Sequence, residues 1–423
     1  MLGAYVAVVV DGNRPLNVTP LSSGTVLHPP LRTIDDVLDD ELQALQMAGL
    51  RRTLRAVRQR QAGTVLFDGE RIADFASNDY LGLANDPRIA RAAMAVLQAE
   101  GTGAGAARLI SGNHPIHESL ERALARFKGV PHALLFPSGY MVNIGVIPAL
   151  VDHRDVIYSD ALNHASLVDG SRLSKATVRV FPHCDLDELG AMLDADRGKY
   201  RRALIVVEGV FSMDGDVFPL DGLVSVARQF GAWTYVDDAH GTGVLGATGA
   251  GAIEHFGMTG RIDVVVGTLG KALGTAGAWV AGSQPLIEFL TSRARSFVFT
   301  TGSPPALAAA ALESLRLAEV EPWRREAVRE RARRLRERLR DAGREIPGAP
   351  DAHIVPVMIG DPMRTMKVAA ALRRRGFLVG GVRPPSVPPG TSRLRISLSA
   401  VHPLEVVDAL AASVIDVLSE SFA

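Results

Sequence analysis

Residues 232–246 read AWTYVDDAHGTGVLG and residues 263–274 read DVVVGTLGKALG, and these two stretches decide how the chain is built. In the first, an apolar run over 232–236 breaks into Asp237, Asp238, Ala239 and His240, then into glycines. In the second, three valines at 264–266 pass into Gly267, Thr268, Gly270, the lone Lys271 and Gly274. Short β-branched runs without polar alternation predict strands buried on both faces, as in a parallel sheet covered by helices. Ligands of such sheets bind beyond the carboxyl ends of the strands. An acid ending one strand and a lysine following the next therefore predict a site.

A lysine hemmed in by glycine and apolar side chains is desolvated, which favours the neutral amine. A neutral amine forms a Schiff base with an aldehyde cofactor, and pyridoxal phosphate also needs an acid to keep its ring nitrogen protonated. Lys271 and Asp237 supply that pair, with His240 placed against the ring or its phenolic oxygen. Each half alone also fits a glycine-rich turn with a solvated lysine, or an aspartate capping a helix; on successive strands the pair favours the cofactor. Gly241, Gly243 and Gly246 match G-x-G-x-x-G as well. A dinucleotide-binding turn of that spacing follows its strand directly and opens a helix. Here Asp-Asp-Ala-His intervenes, so no dinucleotide site is expected.

The 423 residues carry 47% hydrophobic and 22% charged side chains and a net charge of zero, which excludes a global field that draws in nucleic acid or an acidic membrane. The single cysteine, Cys184, excludes an internal disulfide and points to a reducing compartment. No apolar run reaches the roughly 18–20 residues of a membrane span. The start, MLGAYVAVVVDGN, has neither a basic n-region nor a small-residue cleavage site. A cytoplasmic protein without a signal peptide is expected.

In chain order, residues 1–30 read as a loose arm and 36–61 as a charged helix whose Arg51 and Arg52 fit a solvated face, with the alternative that one of them reaches a substrate anion. A hairpin is predicted over 64–76 with its turn at Asp68-Gly69, followed by a turn at SNDYLGL with Tyr80 packed inward. Helices follow near 87–98 and 116–128, with His114 and His117 as cap or packing groups rather than metal ligands; no metal is expected. A strand over 133–136 leads through Ser138, Gly139 and Tyr140 to a helix from about Asn143, which fits either a plain strand–helix turn or an anion site built from free N–H groups and the helix dipole. His164 stands at a helix start, where its ring can stack on a cofactor. Glu208 ends a buried strand and must be hydrogen-bonded there. SFVFTTGSPP (296–305) reads as a strand closing at Thr300 and Thr301. Beyond 306 helices dominate: 322–344 shows a stripe of Val328, Ala332, Leu335 and Leu339 beneath a solvated charged face. A smaller domain then has strands at HIVPVMIG, FLVGGV and RLRISLSA, with helices near 362–375 and 403–419. Arg393 and Arg395, two apart on a strand, share a face from which one can grip a carboxylate.

SNDYLGL, SGYMVN, NHAS, EGVFSMDGD, VDDAHGTGVLG, GTLGKALG and RPPSVPPGTSRLR together resemble the α-oxoamine synthases, a branch of the fold-type I pyridoxal-phosphate enzymes, in order from about Gln43 to the C-terminus. The last string is most similar to that of the 8-amino-7-oxononanoate synthases. The resemblance implies an α/β fold of the aspartate aminotransferase type, with a mostly parallel central sheet and a small C-terminal α+β domain. Its parts would be an N-terminal arm and helical segment over 1–75, a large cofactor-binding domain over 76–305 and a small domain over 306–423. It implies Lys271 as Schiff-base lysine and proton carrier, Asp237 at the pyridine nitrogen, His240 at the phenolic oxygen and His164 stacked on the ring. Ser138, Gly139, Tyr140 and Thr268 would hold the phosphate with Thr301 of a second subunit, and Glu208 and Ser212 would support this shell. Asn78, Arg395, Arg51 and Arg383 would meet substrate carboxylates.

The implied reaction joins L-alanine to a pimeloyl thioester, of CoA or a carrier protein, in biotin biosynthesis, on a homodimer with shared sites. The rivals are a sister enzyme using glycine with a short acyl-CoA and a catalytically inactive partner subunit, which Lys271 opposes. Two departures stand out. Ala106 and Ala107 occupy positions where many relatives carry glycine, serine or threonine, and the first 30 or so residues match nothing in the pattern.

Overall fold

The computed structural model describes residues 32–350 and 352–420, so the arm expected over 1–30 lies outside the described residues. The chain divides into two compact units, Met1–Thr53 and Leu54–Ala423. Within the first, one helix covers Ile34–Met47, opened by a capping box in which Thr33 Oγ1 accepts from Asp36 N at 3.2 Å and Asp36 Oδ2 accepts from Thr33 N at 2.8 Å. The helix expected over 36–61 ends there. Gly49 turns left-handed at φ +67°, and Val57–Gln61 forms strand β1 instead.

In the second unit, β1 pairs with β2 (Thr64–Phe67), and β2 with β3 (Glu70–Asp74), all antiparallel. The β2–β3 turn falls at Asp68-Gly69, both at positive φ (49° and 87°), as a two-residue hairpin of the primed type requires.

The sheet that carries the site has seven strands: β4 (His132–Phe136), β5 (Val156–Asp160), β6 (Thr177–Phe181), β7 (Ala203–Glu208), β8 (Trp233–Asp237), β9 (Val264–Thr268) and β10 (Ala278–Gly282). Their spatial order is β4-β10-β9-β8-β7-β5-β6. The neighbours from β9 to β6 run parallel, while β10 is antiparallel to both β9 and β4. Both faces are buried, because successive β7 side chains enter different cores. Ile205 and Val207 join one, and Leu204 and Val206 the other. Register sets the chemistry level: Glu208 pairs with Asp237, and Asp237 with Val266.

Helices open where their caps predict. Asp86 and His114 accept N–H groups at the starts of Pro87–Glu100 and Pro115–Lys128. The helix expected from Asn143 begins four residues earlier, at Gly139, because Ser138 Oγ caps it by accepting from Met141 N at 3.3 Å. The strand expected at 296–301 is a helical turn, Arg295–Val298. Packing overrides strand propensity there: Phe297 inserts beside Phe136 at 5.7 Å between ring centres, and Ser296 Oγ donates to Met141 O at 2.5 Å. The glycines after β8 make turns and one short helix, Ala252–His255, rather than the strand–turn–helix of a dinucleotide site.

Towards the C-terminus, β11 (Ile354–Gly360), β13 (Gly380–Val382) and β14 (Ser392–Ser397) form a three-stranded sheet in the order β11-β14-β13. The intervening β12 (Phe377–Leu378) instead adds parallel to β3. In the helix Trp323–Asp341, Val328, Ala332, Leu335 and Leu339 are fully buried, as their spacing predicts. Its charged face is not wholly solvated, however. Arg324, Arg325 and Arg336 are buried, with Arg336 donating to Pro347 O at 2.6 Å and Ile354 O at 2.7 Å. A guanidinium carries enough donors to satisfy several loop carbonyls at once, which charge patterning does not reveal.

Candidate active site

Lys271 leaves the end of β9 and turns its Nζ to within 2.7 Å of His240 Nε2. The other nitrogen of that imidazole, Nδ1, lies 2.7 Å from Tyr80 OH. Tyr80 OH donates to Asn78 Oδ1 at 3.0 Å, and Arg395 Nη2 reaches the same two oxygens at 3.3 and 3.2 Å. A continuous polar chain thus runs Lys271–His240–Tyr80–Asn78–Arg395, joining the loop after β9 to β14. Arg395 is held by two further bonds, Nε to Ser212 O at 2.5 Å and Nη1 to Ser397 Oγ at 2.7 Å. Its neighbour Arg393 pairs with Asp214 instead.

Burial draws the Lys271 amine down to about 8, partly opposed by the negative charges of Asp237 and Glu208. His240 is pushed well below its usual range by burial and by the positive charges of Lys271 and Arg395, so its ring is neutral. Glu208 moves the other way. Burial and the adjacent Asp237 lift its carboxyl to about 8. Its Oε1 is fixed by the backbone, accepting from His164 N at 2.7 Å. The expectation that this strand-end acid is hydrogen-bonded is met.

Asp237 is buried, and both of its oxygens are bonded: Oδ2 accepts from Asn143 Nδ2 at 2.8 Å and Oδ1 from Ala239 N at 3.0 Å. Asn143, expected only at a helix start, is a hub. It also donates to Ser166 Oγ at 2.9 Å and accepts from Tyr235 OH at 2.6 Å. Its signal was a lone amide inside the apolar run MVNIGV, a placement that is costly unless the amide is bonded. His164 caps the helix Ala165–Leu173, its Nδ1 accepting from Ser166 N at 3.2 Å and lying 2.8 Å from Ser166 Oγ.

The helix expected to offer an anion its free N–H groups starts at Gly139, directly after Ser138. A Cβ built on Gly139 would meet nothing within 4 Å, and the first-turn N–H groups there lie at the positive end of the helix dipole. Tyr140 is exposed and its OH donates to Asp169 Oδ2 at 2.6 Å. Thr268 Oγ1 accepts from Gly270 N and donates to Gly277 O, both at 3.1 Å. Ser212 is buried, and its carbonyl serves Arg395. Three further expected residues are placed as follows. Arg51 belongs to the unit Met1–Thr53, Thr301 is exposed and bridges by its backbone to Ala107, and Arg383 directs Nη1 to Met366 Sδ at 2.9 Å.

Beneath the site, Lys128 Nζ donates to Asp238 Oδ2 at 2.8 Å, with both side chains buried. This ion pair stabilises the turn that carries Asp237 and His240, and neither partner was singled out from the sequence.

Residues 70–414 match the aminotransferase class I and II family. The chain belongs to that family. Within it, the chain is 44% identical over 380 residues to the 8-amino-7-oxononanoate synthase of Symbiobacterium thermophilum, covering 90% of this chain and 97% of that protein. It is 48% identical over 366 residues to that of Geobacter sulfurreducens, covering 86% and 93%. Among solved structures it resembles the serine palmitoyltransferase of Sphingomonas wittichii at a TM-score of 0.85 and 32% identity, covering 91% and 97%. The 8-amino-7-oxononanoate synthase of Francisella tularensis follows at 0.73 and 27%, covering 83% and 99%.

The fold is thus that of the fold-type I pyridoxal-phosphate transferases, and the enzyme is of the pyridoxal-phosphate-dependent acyltransferase type. The residues fit that cofactor. An amine whose proton is weakly held follows β9, a buried acid with both oxygens directed ends the adjacent β8, and an open helix start for a phosphate follows β4 of the same sheet. Among the described residues no helix is long and apolar enough to cross a membrane.

Proposed function

We propose that the enzyme condenses L-alanine with a pimeloyl thioester, of CoA or a carrier protein, to give 8-amino-7-oxononanoate, CO₂ and the free thiol, as a cytoplasmic step of biotin biosynthesis. Identity of 44–48% to relatives bearing that name, along about nine-tenths of the chain, carries the choice of substrates. Pyridoxal phosphate, when bound, supplies the electron sink for the pair left on the amino-acid Cα.

The chain's own groups do the rest. Lys271 Nζ holds and returns the Cα proton, a task suited to an amine whose affinity for protons is lowered towards neutrality. Asp237, aimed by Asn143 and Ala239, stabilises a proton on the pyridine nitrogen. His240, held between Lys271 and Tyr80, faces the phenolic oxygen, and His164 lies against the ring. Glu208 and Ser212 support that shell. Ser138, Gly139, Tyr140 and Thr268 receive the phosphate, with Thr301 from a second copy in a homodimer. Arg395 and Asn78 grip the alanine carboxylate, and Arg51 and Arg383 meet the far carboxylate of the acyl chain. The proposed division is an N-terminal arm and helical segment before residue 76, a large domain over 76–305 and a small one from 306.

The serine palmitoyltransferase folds favour a second reading, a sister condensation with another amino acid and acyl chain. The deciding experiment follows thiol release from holoenzyme given L-alanine, glycine or L-serine with pimeloyl-, succinyl-, acetyl- or palmitoyl-CoA. Turnover confined to L-alanine with the pimeloyl thioester supports the first reading. Turnover with glycine or serine and another acyl group assigns the sister branch.

A further inference from the structure

His183 stands outside the polar chain described above, yet it ties that chain to the edge of the sheet. It follows β6, and both of its ring nitrogens face carboxylates. Nδ1 lies 2.9 Å from Asp160 Oδ1 at the end of β5, and Nε2 bonds Asp216 Oδ2. Asp160 is buried and also accepts from Cys184 N at 2.9 Å, so it is a fixed anchor. Asp216 is the opposite case. Its other oxygen, Oδ1, is buried without a hydrogen-bond partner, and the imidazole is what holds the carboxylate. Flanked by two acids, His183 is lifted to about 12 despite its burial and carries a positive charge. The ring stands edge-on to Phe211, 4.3 Å between centres.

Asp216 closes a turn that reaches into the site. Phe211 N donates to Asp216 O and Gly215 N to Phe211 O, both at 2.9 Å. The turn is pressed against β11, where a Cβ on Gly215 would lie 2.5 Å from Ile354 O. Inside it sit Ser212, whose carbonyl holds Arg395 Nε, and Asp214, which pairs with Arg393. The orientation of the Arg395 guanidinium therefore depends on where this turn is pinned.

We propose that His183 is a positioning residue for Arg395, acting by bridging Asp160 to Asp216 and so fixing the Phe211–Asp216 turn. The bridge sets the Ser212 carbonyl, and the carbonyl presets the guanidinium for the amino-acid carboxylate. This rests on the reading that Arg395 receives that carboxylate.

Holoenzymes of His183→Gln, Asp216→Asn and the double variant would be titrated with L-alanine, read from the cofactor's absorbance change, and assayed for kcat and the thioester KM. Each single change is expected to weaken L-alanine binding on the order of tenfold. The double variant should be no weaker than the worse single one, because both cut one link. The thioester KM and circular dichroism should stay as in the parent. Unchanged L-alanine affinity in both single variants overturns the proposal. So does a uniform loss in affinity, thioester KM and melting temperature, which marks a merely structural role. If His183→Gln does not fold, Asp216→Asn carries the test, since it leaves His183 paired with Asp160. Arg395→Lys separates the two layers. If it leaves L-alanine affinity intact, the carboxylate reading itself is wrong; if it weakens affinity while the His183 and Asp216 changes do not, only the positioning role is.

Discussion

Lys271 Nζ and Tyr80 OH contact opposite nitrogens of one imidazole, each at 2.7 Å from His240. That ring is buried and neutral, so it passes one hydrogen bond along without adding a second positive charge beside the lysine. Burial is the largest cause of the lysine's weakened hold on its proton.

The first prediction concerns that acidity. A protonated amine has no lone pair, so uptake of pyridoxal phosphate by the apoenzyme should accelerate as pH rises, with a midpoint at about 8. An unperturbed lysine titrates about two units higher. Stopped-flow absorbance between pH 6 and pH 10 measures the profile, and a midpoint near 10 would show that the site does not desolvate Lys271.

Asn143 is the second. Asn143→Leu takes the donor from Asp237 Oδ2 and the acceptor from the buried Tyr235 OH. Stability should fall by about 2–3 kcal/mol, the cost of orphaned buried polar groups. Turnover should fall on the order of ten- to a hundredfold as Asp237 loses its aim. Denaturant melts and steady-state kinetics check both, and parent-like kcat would remove Asn143 from the site's support.

For Lys128 and Asp238 the asymmetry is the test. Lys128→Met leaves Asp238 as an uncompensated buried charge and should cost about 3–5 kcal/mol. Adding Asp238→Asn should recover part of that loss. A double variant as unstable as the sum of the two single ones would mean that the pair does not couple.

His402 gives a pH dependence with a definite sign. Its Nδ1 accepts from Ser399 N and its Nε2 faces Asp74 O, both at 3.1 Å, which fixes a neutral tautomer. Burial holds it down to about 4, against about 6.5 unfolded. The unfolded chain therefore binds the proton first, and stability present above pH 6.5 drains as pH falls towards 4. For this one group the full effect is on the order of 3 kcal/mol. His402→Gln should flatten the fall in melting temperature between pH 7 and pH 5, and an unchanged slope counts against the assignment.

Much of this was legible along the chain. Apolar runs that end abruptly in Asp237, Glu208 and Lys271 announced strands buried on both faces with chemistry at one end, because only a covered parallel sheet tolerates such runs. The cap at His114 and the Asp68-Gly69 turn were readable too, since each acts on its own backbone within a few residues. The helix over 36–61 and the strand over 296–301 failed for one reason. Periodicity and propensity are local, while β1 exists because β2 lies beside it and Arg295–Val298 is helical because Phe297 packs on Phe136.

The sequence by itself determined the sheet, the family and the residue types of the site, because these follow from hydrophobic pattern and from motifs short enough to be read in place. Only the tertiary structure decided that Asn143 aims Asp237, that Lys128 neutralises Asp238 and that His183 reaches the turn behind Arg395. Those contacts join residues far apart in the chain. A buried polar group must find its partner across that distance, and nothing in local spacing records which partner it finds.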